Sequence, residues 1–294
     1  MKIAVCVHLY HIDMWDQIVS YLKNLKLEYD LYVNLPIKKT DFGNNLPIDF
    51  NWVEYLDINK DLRPNKVTNE SLAIRHYLRF GVKEKRKYTN KILIVDKIKN
   101  FKSNVKIIHS PNKGVDVGGF LYTYKHIDPK TDLVLKIHTK AGLGSTKNPS
   151  RPSLNLGKNN AKKAGNNWFI NLMNGVLQNE NKINKILNEF KKNPNCGMVG
   201  FKKYNNFSRN IKEVNYIFKL LNTTNNYNNS YFVGGTIFWI RNSILKKHLT
   251  PNNIDKIISI LPKEYVLEPS YNHAMERIFG CFVYKENQEL IVIN

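Results

Sequence analysis

The sequence predicts an α/β fold, with a doubly wound and mostly parallel sheet and helices on both faces. Apolar runs at residues 3–7 and 29–33 flank a segment whose apolar residues have helical spacing. Apolar runs at 105–108 and 133–137 flank a second such segment. Strand, helix and strand in this order are typical of a βαβ crossover, which makes the two strands parallel in one sheet.

Histidines, amides and glycines, rather than apolar residues, follow the predicted strands. In open parallel sheets, ligands bind beyond the carboxyl ends of the strands. We therefore expect one site for a phosphorylated ligand at this edge, although a single histidine at such a position is more often structural. The residues predicted to bind that ligand are His8, Tyr10, Asn112, Lys113, Gly114, Asp116, Gly118, His138 and Lys140.

Residues 47–90 interrupt the alternation of strands and helices. They are predicted to form a small helical module inserted into a single domain that comprises residues 1–294. Within the module, the apolar residues of segment 70–81 suit a short amphipathic helix that ends at Gly81. We favour a packing role for this module over a direct part in the site.

Three further segments bear on the site. Residues 141–164 are polar and aperiodic, which predicts a long loop that closes over the ligand as a lid. Residues 231–240 predict a strand with a Gly-Gly pair inside it, where another backbone or a ligand approaches closely. Ser270 is a suitable N-cap for a helix that ends at Gly280.

The composition is that of a globular protein, with 42% hydrophobic residues in a chain of 294. No apolar run reaches the ~18 to 20 residues that span a bilayer. The start of the chain lacks the features of a signal peptide. The three cysteines, Cys6, Cys196 and Cys281, lack metal-ligand spacing and are predicted to be buried thiols in a reducing compartment. We therefore expect a soluble, cytoplasmic protein.

The net charge of +21 has two interpretations. One is compositional drift, since lysine and asparagine are both abundant. The other is attraction to a phosphorylated substrate or to an anionic membrane surface, with which the protein would associate peripherally. Specific nucleic-acid binding is not expected, because no basic helix, zinc motif or aromatic RNA-binding motif is present.

The glycine-rich segment suits a phosphate site. Gly114, Gly118 and Gly119 permit close approach of backbone to ligand, and a helix starting near Phe120 would direct its amide donors there. The segment matches neither the G-x-G-x-x-G fingerprint nor a Walker loop, which argues against a dehydrogenase and a kinase.

The strand that follows adds basic groups. Because side chains alternate along a strand, Lys136, His138 and Lys140 are predicted to share one face. Three potentially cationic groups at one strand end suit a diphosphate. The alternative is an ordinary solvated strand end.

The order of these motifs resembles the rhamnan synthesis F family of polysaccharide glycosyltransferases. The resemblance rests on residues 8–10, Trp15, 112–118, 135–140, 197–200, 234–239 and 273–277. It covers nearly the whole chain except 47–90, and that segment resembles a short module of some bacterial and giant-virus glycosyltransferases. The resemblance implies a GT-A-like fold, which binds a nucleotide-diphosphate sugar.

In that fold, an Asn-X-Gly turn precedes a helix, and the next strand ends in an Asp-X-Asp that holds a divalent metal. This chain has Asn112 and Gly114 at the first place, but His138-Thr139-Lys140 at the second. The departure leaves two alternatives for the diphosphate. Cationic side chains neutralise it directly, which we favour, or Asp116 and His138 share a Mn or Mg ion.

The resemblance also implies an acceptor side. An inverting transfer needs a base to take the proton of the acceptor hydroxyl. Glu276 is predicted to be that base, with His273 on the same helical face as its partner or replacement. The alternative is a surface glutamate paired with Arg277 or a lysine. Trp239 and Arg241 are predicted to form a platform for the acceptor sugar.

The leading hypothesis is therefore transfer of a sugar, a 6-deoxyhexose such as L-rhamnose, from a dTDP or UDP sugar to a glycan or lipid-linked glycan acceptor. The expected location is the cytoplasm, at the inner face of the membrane, or the host cytoplasm for a viral protein. A non-catalytic glycan-binding protein with the same fold is the alternative, supported by the missing Asp-X-Asp. A nucleic-acid-binding protein is supported only by the net charge.

Overall fold

A computed structural model describes residues 1–39, 45–140, 158–224 and 230–293. The strands of the described residues are β1 (Ile3–His8), β2 (Asp30–Lys39), β3 (Asn45–Leu46), β4 (Lys106–Pro111), β5 (Leu133–His138), β6 (Cys196–Gly200), β7 (Lys203–Tyr204), β8 (Phe232–Val233), β9 (Phe238–Arg241) and β10 (Glu289–Ile291). The helices are α1 (Trp15–Leu22), α2 (Trp52–Ile58), α3 (Glu70–His76), α4 (Ile94–Phe101), α5 (Val115–Tyr124), α6 (Lys158–Leu177), α7 (Glu180–Lys192), α8 (Ile211–Leu220), α9 (Asn242–His248), α10 (Pro251–Ile260) and α11 (Tyr271–Lys285).

The central sheet confirms the predicted α/β class. Its strands follow the order β10-β6-β9-β5-β1-β2, with β4 on the other side of β2. The pairs β1–β2, β1–β5, β2–β4 and β6–β10 are parallel. Only β9 runs against its neighbours β5 and β6 among these described strands. The predicted βαβ units therefore form, and one antiparallel strand separates them from the β6–β10 pair.

The alternation of side chains along the strands divides the core between the two faces of the sheet. Ala4 and Cys6 of β1 belong to the core under α5 and α8 to α11. Ile3, Val5 and Val7 belong to the core under α1, α4, α6 and α7. All three cysteines are buried free thiols, as predicted.

The segment predicted as a module contains two short helices. Asn51 caps α2 and Asn69 caps α3, each accepting backbone N–H bonds at the helix start. A single π-helical turn, Tyr77–Gly81, continues α3. The helices enclose a hydrophobic cluster of their own, separate from both sheet cores, whose buried members are Leu46, Phe50, Tyr55, Leu56, Leu62, Ala73 and Tyr77.

Several predicted boundaries are wrong. α5 begins at Val115, so Gly118 and Gly119 lie inside a helix and not in a turn. α11 continues through Gly280 to Lys285, and the missing side chain of Gly280 lets the helix lie against the backbone of residues 231–232. The predicted strand 231–240 is two short strands separated by a turn.

The predicted lid, 141–164, falls mostly outside the described residues, and its last part, from Lys158, belongs to α6. Within the described parts of the chain, no helix combines the length and apolar composition needed to cross a membrane.

The glycines of α5 serve close packing. A Cβ atom at Gly119 would lie 2.0 Å from Nδ1 of His8 and 2.8 Å from Oδ1 of Asn34. The absence of a side chain at this position therefore lets α5 lie directly over the ends of β1 and β2.

We expect Gly119→Ala to lower the free energy of unfolding by about 1 to 3 kcal/mol or more, because the added methyl group overpacks a buried site. The urea midpoint measures this change. Asn184→Ala, at an exposed position of α7, is the control and should leave the midpoint nearly unchanged. An unchanged midpoint for Gly119→Ala would contradict the packing described here.

Candidate active site

The carboxyl ends of three strands form one edge. His8 of β1 is in register with His138 of β5 and with Asn34 of β2. The hydroxyl of Thr139 accepts hydrogen bonds from the backbone N–H groups of Tyr10 and His11, at 3.1 and 3.0 Å. The residues after β1 and β5 are thus tied to each other, and the polar strand ends that the sequence places on one edge lie side by side.

Only one ring nitrogen of His8 has a hydrogen-bond partner among the described residues. Its Nδ1 lies 2.8 Å from Oδ1 of Asn34, whose Nδ2 donates to the hydroxyl of Ser110 at 2.8 Å. Burial lowers the pKa of His8 to about 4, so the ring is neutral at neutral pH. With Nδ1 donating to Asn34, Nε2 is a buried acceptor without a partner among the described residues. Oδ1 of Asn112 is a second such acceptor.

The centre of the site is a buried ion pair. Nζ of Lys136 lies 2.7 Å from Oδ2 of Asp116 and 2.9 Å from both the carbonyl oxygen and the hydroxyl of Thr236. The lysine is 1% exposed, so all three of its N–H donors are used inside the protein. The Thr236 hydroxyl donates to the same carboxylate oxygen.

Burial alone would raise the pKa of Asp116. The nearby His138 and Lys136, together with the hydrogen bonds from Lys136 and Thr236, outweigh burial and hold that pKa well below its usual range. Asp116 is therefore an anion whose charge is already matched within the fold.

His138 shares a face with Lys136, as the alternation along β5 predicts. Its Nε2 lies 2.8 Å from the carbonyl oxygen of Gly235 and 3.7 Å from Oδ2 of Asp116. Burial lowers the pKa of His138 to about 4, against the opposing effect of Asp116. The ring is therefore neutral and donates from Nε2 to Gly235. It is not the cation that the sequence suggests.

The turn between β8 and β9 is strained. Gly235 has φ 83° and Thr236 has φ 51°. A positive φ is unusual for a β-branched residue, and Val115 at the start of α5 repeats it with φ 54°. Such conformations persist where the surroundings fix them, and they cluster at functional sites. The two strained residues adjoin Asp116 from both sides.

The first turns of α11 complete the site. Oε1 of Glu276 accepts a hydrogen bond from the N–H of Gly235. Burial raises the pKa of Glu276, and this effect exceeds the opposing effects of the Gly235 amide, Arg277 and Lys140. Nδ1 of His273 lies 2.7 Å from the hydroxyl of Ser270. Burial lowers the pKa of His273, which leaves this ring neutral.

Asp116 and Lys140 act on the pKa of both His273 and Glu276. The two parts of the predicted site, the strand ends and the first turns of α11, therefore lie close enough to affect each other's pKa values. His273 and Glu276 lie three positions apart on α11, as predicted. Nη2 of Arg277 lies 2.5 Å from Oε1 of Glu268, and its Nη1 lies 3.6 Å from Oε2 of Glu276, so the alternative ion pair between Glu276 and Arg277 also forms.

Three residues that were predicted to belong to the site, Lys113, Trp239 and Arg241, have their side chains elsewhere. Lys113 donates from Nζ to the carbonyl oxygen of Ser259 at 2.7 Å, in the last turn of α10, where the helix dipole favours a cation. Its ammonium group is thus bound away from Asp116.

The acceptor platform predicted at Trp239 and Arg241 is wrong. Trp239 is fully buried in the core, and its Nε1 donates to the carbonyl oxygen of Val176. Because β9 is antiparallel to β5, Arg241 lies opposite Leu133, at the far end of the strand from His138. A parallel strand would have placed it at the site edge.

The contacts of Asp116 and His138 leave few donor atoms for a metal. Oδ2 of Asp116 is occupied by Lys136 and Thr236, and both ring nitrogens of His138 face carbonyl oxygens, Nδ1 at 3.1 Å from Thr139 and Nε2 at Gly235. Across the described residues, no set of three His, Cys, Asp or Glu side chains is arranged to hold a metal ion.

Sequence reasoning marked the Gly234-Gly235 pair as a place of close approach but missed Thr236 as part of the site. A threonine carries no such signal by itself. Lys136 did carry a signal, because it lies at an inward position of a strand that is otherwise apolar. A buried lysine requires an acidic partner, so this position indicates an ion pair inside the site.

The sheet is mostly parallel and carries ionisable residues at the carboxyl ends of its strands. The protein therefore belongs to the α/β class and is compatible with the GT-A-like fold of glycosyltransferases. The model of the family described as Rhamnan synthesis protein F matches residues 70–288, and the chain belongs to this family. The family indicates a role in rhamnan polysaccharide synthesis, which is consistent with a glycosyltransferase. No curated protein and no solved structure matches the chain. The match starts inside the segment 47–90, which was expected to lie outside the resemblance.

We expect Lys136→Met to lower the free energy of unfolding by about 3 to 5 kcal/mol, because it leaves the carboxylate of Asp116 largely buried without its cation. Guanidinium unfolding measures the change, and adding Asp116→Asn should restore part of the loss.

The matched control is Lys97→Met. The Lys97 ammonium lies 3.6 Å from Asp16, and both side chains are exposed, so its removal should change stability by less than about 1 kcal/mol. Equal losses for Lys136→Met and Lys97→Met would show that the buried pair is not a structural requirement.

Proposed function

We propose that this protein is an inverting glycosyltransferase that moves a sugar, a 6-deoxyhexose such as L-rhamnose, from a dTDP or UDP sugar to a glycan or lipid-linked glycan acceptor. The observation that carries the proposal is the turn at Gly235-Thr236. It joins Asp116, His138 and Glu276 at the carboxyl edge of the parallel sheet. Family membership supports the same reaction class.

The nucleotide part of the donor is proposed to bind along the ends of β1 and β4. Nε2 of His8 and Oδ1 of Asn112 are buried acceptors that a ligand's N–H or O–H groups would satisfy. Tyr10, Gly114 and Gly118 belong to the same proposed surface, with Tyr10 exposed at 44%.

The charge of the departing diphosphate requires a cation. Among the basic groups expected here, Lys136 is neutralised by Asp116, His138 is a neutral ring, and Lys113 is bound to α10. Lys140, half-buried just after β5, is the cation that we propose to face the diphosphate. This revises the idea that His138 provides positive charge.

The base is proposed to be Glu276. As the acceptor oxygen attacks the anomeric carbon, the bond from that carbon to the diphosphate breaks, and the acceptor proton passes to the carboxylate. A raised pKa makes Glu276 a stronger base than an exposed glutamate. The neutral ring of His273, three residues earlier on α11, is proposed as its partner or replacement.

The acceptor sugar is proposed to contact the segment before α11 in place of Trp239 and Arg241. Tyr265 is 60% exposed, and its ring centroid lies 6.3 Å from that of His273. An aromatic face at this position suits a sugar ring beside the base, and Val266 and Leu267 extend the exposed apolar surface.

The test of the proposal is release of nucleoside diphosphate from a panel of nucleotide sugars, with and without glycan acceptor. We expect Glu276→Gln to lower kcat by about 10² to 10⁴-fold, because the acceptor loses its base, while donor binding by thermal shift is unchanged. For the wild-type enzyme, activity should fall as the pH drops through the raised pKa of Glu276, since only the ionised form accepts the proton.

Glu180→Gln, on the exposed start of α7, is the control for this charge change. Donor binding without any turnover by the wild-type protein would instead support the glycan-binding alternative. Retention of full kcat by Glu276→Gln would remove the proposed base.

A second expectation concerns the leaving group. We expect turnover to persist in chelator, because Oδ2 of Asp116 already accepts hydrogen bonds from Lys136 and Thr236, and Nε2 of His138 donates to Gly235. Lys140→Met should lower kcat by on the order of a hundredfold, the usual effect of removing one donor to a developing anion.

The control for this charge change is Lys130→Met, at an exposed position before β5. Loss of turnover in chelator with recovery in Mn or Mg would contradict the direct role of Lys140. It would instead support a metal held by Asp116 and His138.

A further inference from the structure

The helical unit of α3 and the π-helical turn that follows it has two contrasting faces. Ala73, Tyr77 and Gly81 face inward and pack in the cluster with Phe50 and Tyr55. The other face is exposed, and residues three or four positions apart lie along it. Its exposed large side chains are Leu72, Arg75, Arg79 and Phe80, and those of Val82 and Lys83, in the turn that directly follows, continue it. We call this set the α3 face.

The apolar members of the α3 face are unusually open to solvent. Phe80 is 50% exposed, Val82 is 55% exposed and Leu72 is 37% exposed. Packing in the module does not require these side chains, because its own hydrophobic cluster is filled from the opposite face. Phe80 contacts the ring of His76, with 5.5 Å between the ring centroids, but stays 50% exposed. The three large apolar side chains therefore form a largely exposed surface.

The basic members of this face are also uncompensated. Among the described residues, no carboxylate forms an ion pair with Arg75, Arg79 or Lys83. The acids of the neighbouring segment, Asp61 and Glu84, both pair with Arg86. The α3 face thus combines three positive charges with three apolar groups.

We propose that the α3 face binds the surface of an anionic phospholipid membrane. Basic side chains are attracted to anionic headgroups, and apolar side chains of an amphipathic helix enter the boundary between headgroups and acyl chains. The long stems of Arg75, Arg79 and Lys83 let their charges stay in the headgroup layer while Leu72 and Phe80 lie deeper.

The apolar groups decide between this partner and a nucleic acid. Phosphate backbones attract the same basic residues, but single-stranded ligands need aromatic platforms and basic grooves, not exposed aliphatic side chains. Leu72 and Val82 would have to meet a charged backbone. A phospholipid interface accommodates both kinds of side chain at once. The inference depends on the module alone and does not rest on the proposed transfer reaction.

The test uses the full chain and sedimentation with vesicles of phosphatidylcholine alone or mixed with phosphatidylglycerol. We expect binding to the mixed vesicles and little binding to phosphatidylcholine. The triple variant Arg75→Gln, Arg79→Gln, Lys83→Gln should lower the partition coefficient roughly a hundredfold, since each basic residue at an anionic surface contributes about fivefold. Binding should weaken with added salt.

The apolar contribution has its own variant, Leu72→Ser, Phe80→Ser, Val82→Ser. It should lower the partition coefficient at least tenfold while the net charge is unchanged, because burial of apolar side chains adds to the attraction. Thermal unfolding checks that both variants remain folded, which their exposure favours.

The control for charge is Lys185→Gln, Lys191→Gln, Lys192→Gln, which removes the same charge from exposed positions of α7. It should retain most of the vesicle binding. Equal loss in this control, or no loss in the serine variant, would reduce the effect to general attraction by the net charge and overturn the proposal. Tight binding of RNA or DNA that is lost in the glutamine variant and kept in the serine variant would assign the face to nucleic acid instead, and would also overturn it.

Discussion

The structure depends on the ion pair between Lys136 and Asp116. A lysine ammonium that is nearly inaccessible to water is tolerated only with an opposite charge and with acceptors for all its donors. Here Asp116 and both oxygens of Thr236 supply them. The pair joins β5, the first turn of α5 and the turn before β9. Three segments distant in sequence are thus fixed by one charged group.

The same contacts hold a backbone conformation that would not persist alone. With φ 51°, the β-branched Thr236 occupies a disfavoured region. Lys136 binds its carbonyl and its hydroxyl, and this directs the Gly235 carbonyl to His138 and the Gly235 amide to Glu276. One carboxyl group is held ionised and the other has a raised pKa, so the two are suited to different tasks.

Much of this arrangement follows from local sequence patterns. Alternation along β5 predicts that Lys136 and His138 share a face, and helical spacing predicts the same for His273 and Glu276. The carboxyl ends of parallel strands bring His8 and His138 together, as expected. Local patterns do not reveal strand direction, however. β9 has an apolar composition that suits either direction, and its antiparallel direction removes Trp239 and Arg241 from the site edge.

The protonation states also lie beyond sequence patterns, because they depend on burial and on partners from distant segments. Three basic residues on one strand face suggest three positive charges. In the fold, however, Asp116 neutralises Lys136, and burial lowers the pKa of His138 so that its ring is uncharged. A carboxylate that serves as an internal counterion has no free charge for a metal, and the lysine it pairs with has none for a diphosphate. In the proposed transfer, the positive charge that a departing diphosphate requires would come from groups at the rim, and Lys140, two residues after the end of β5, is the first that the chain provides there.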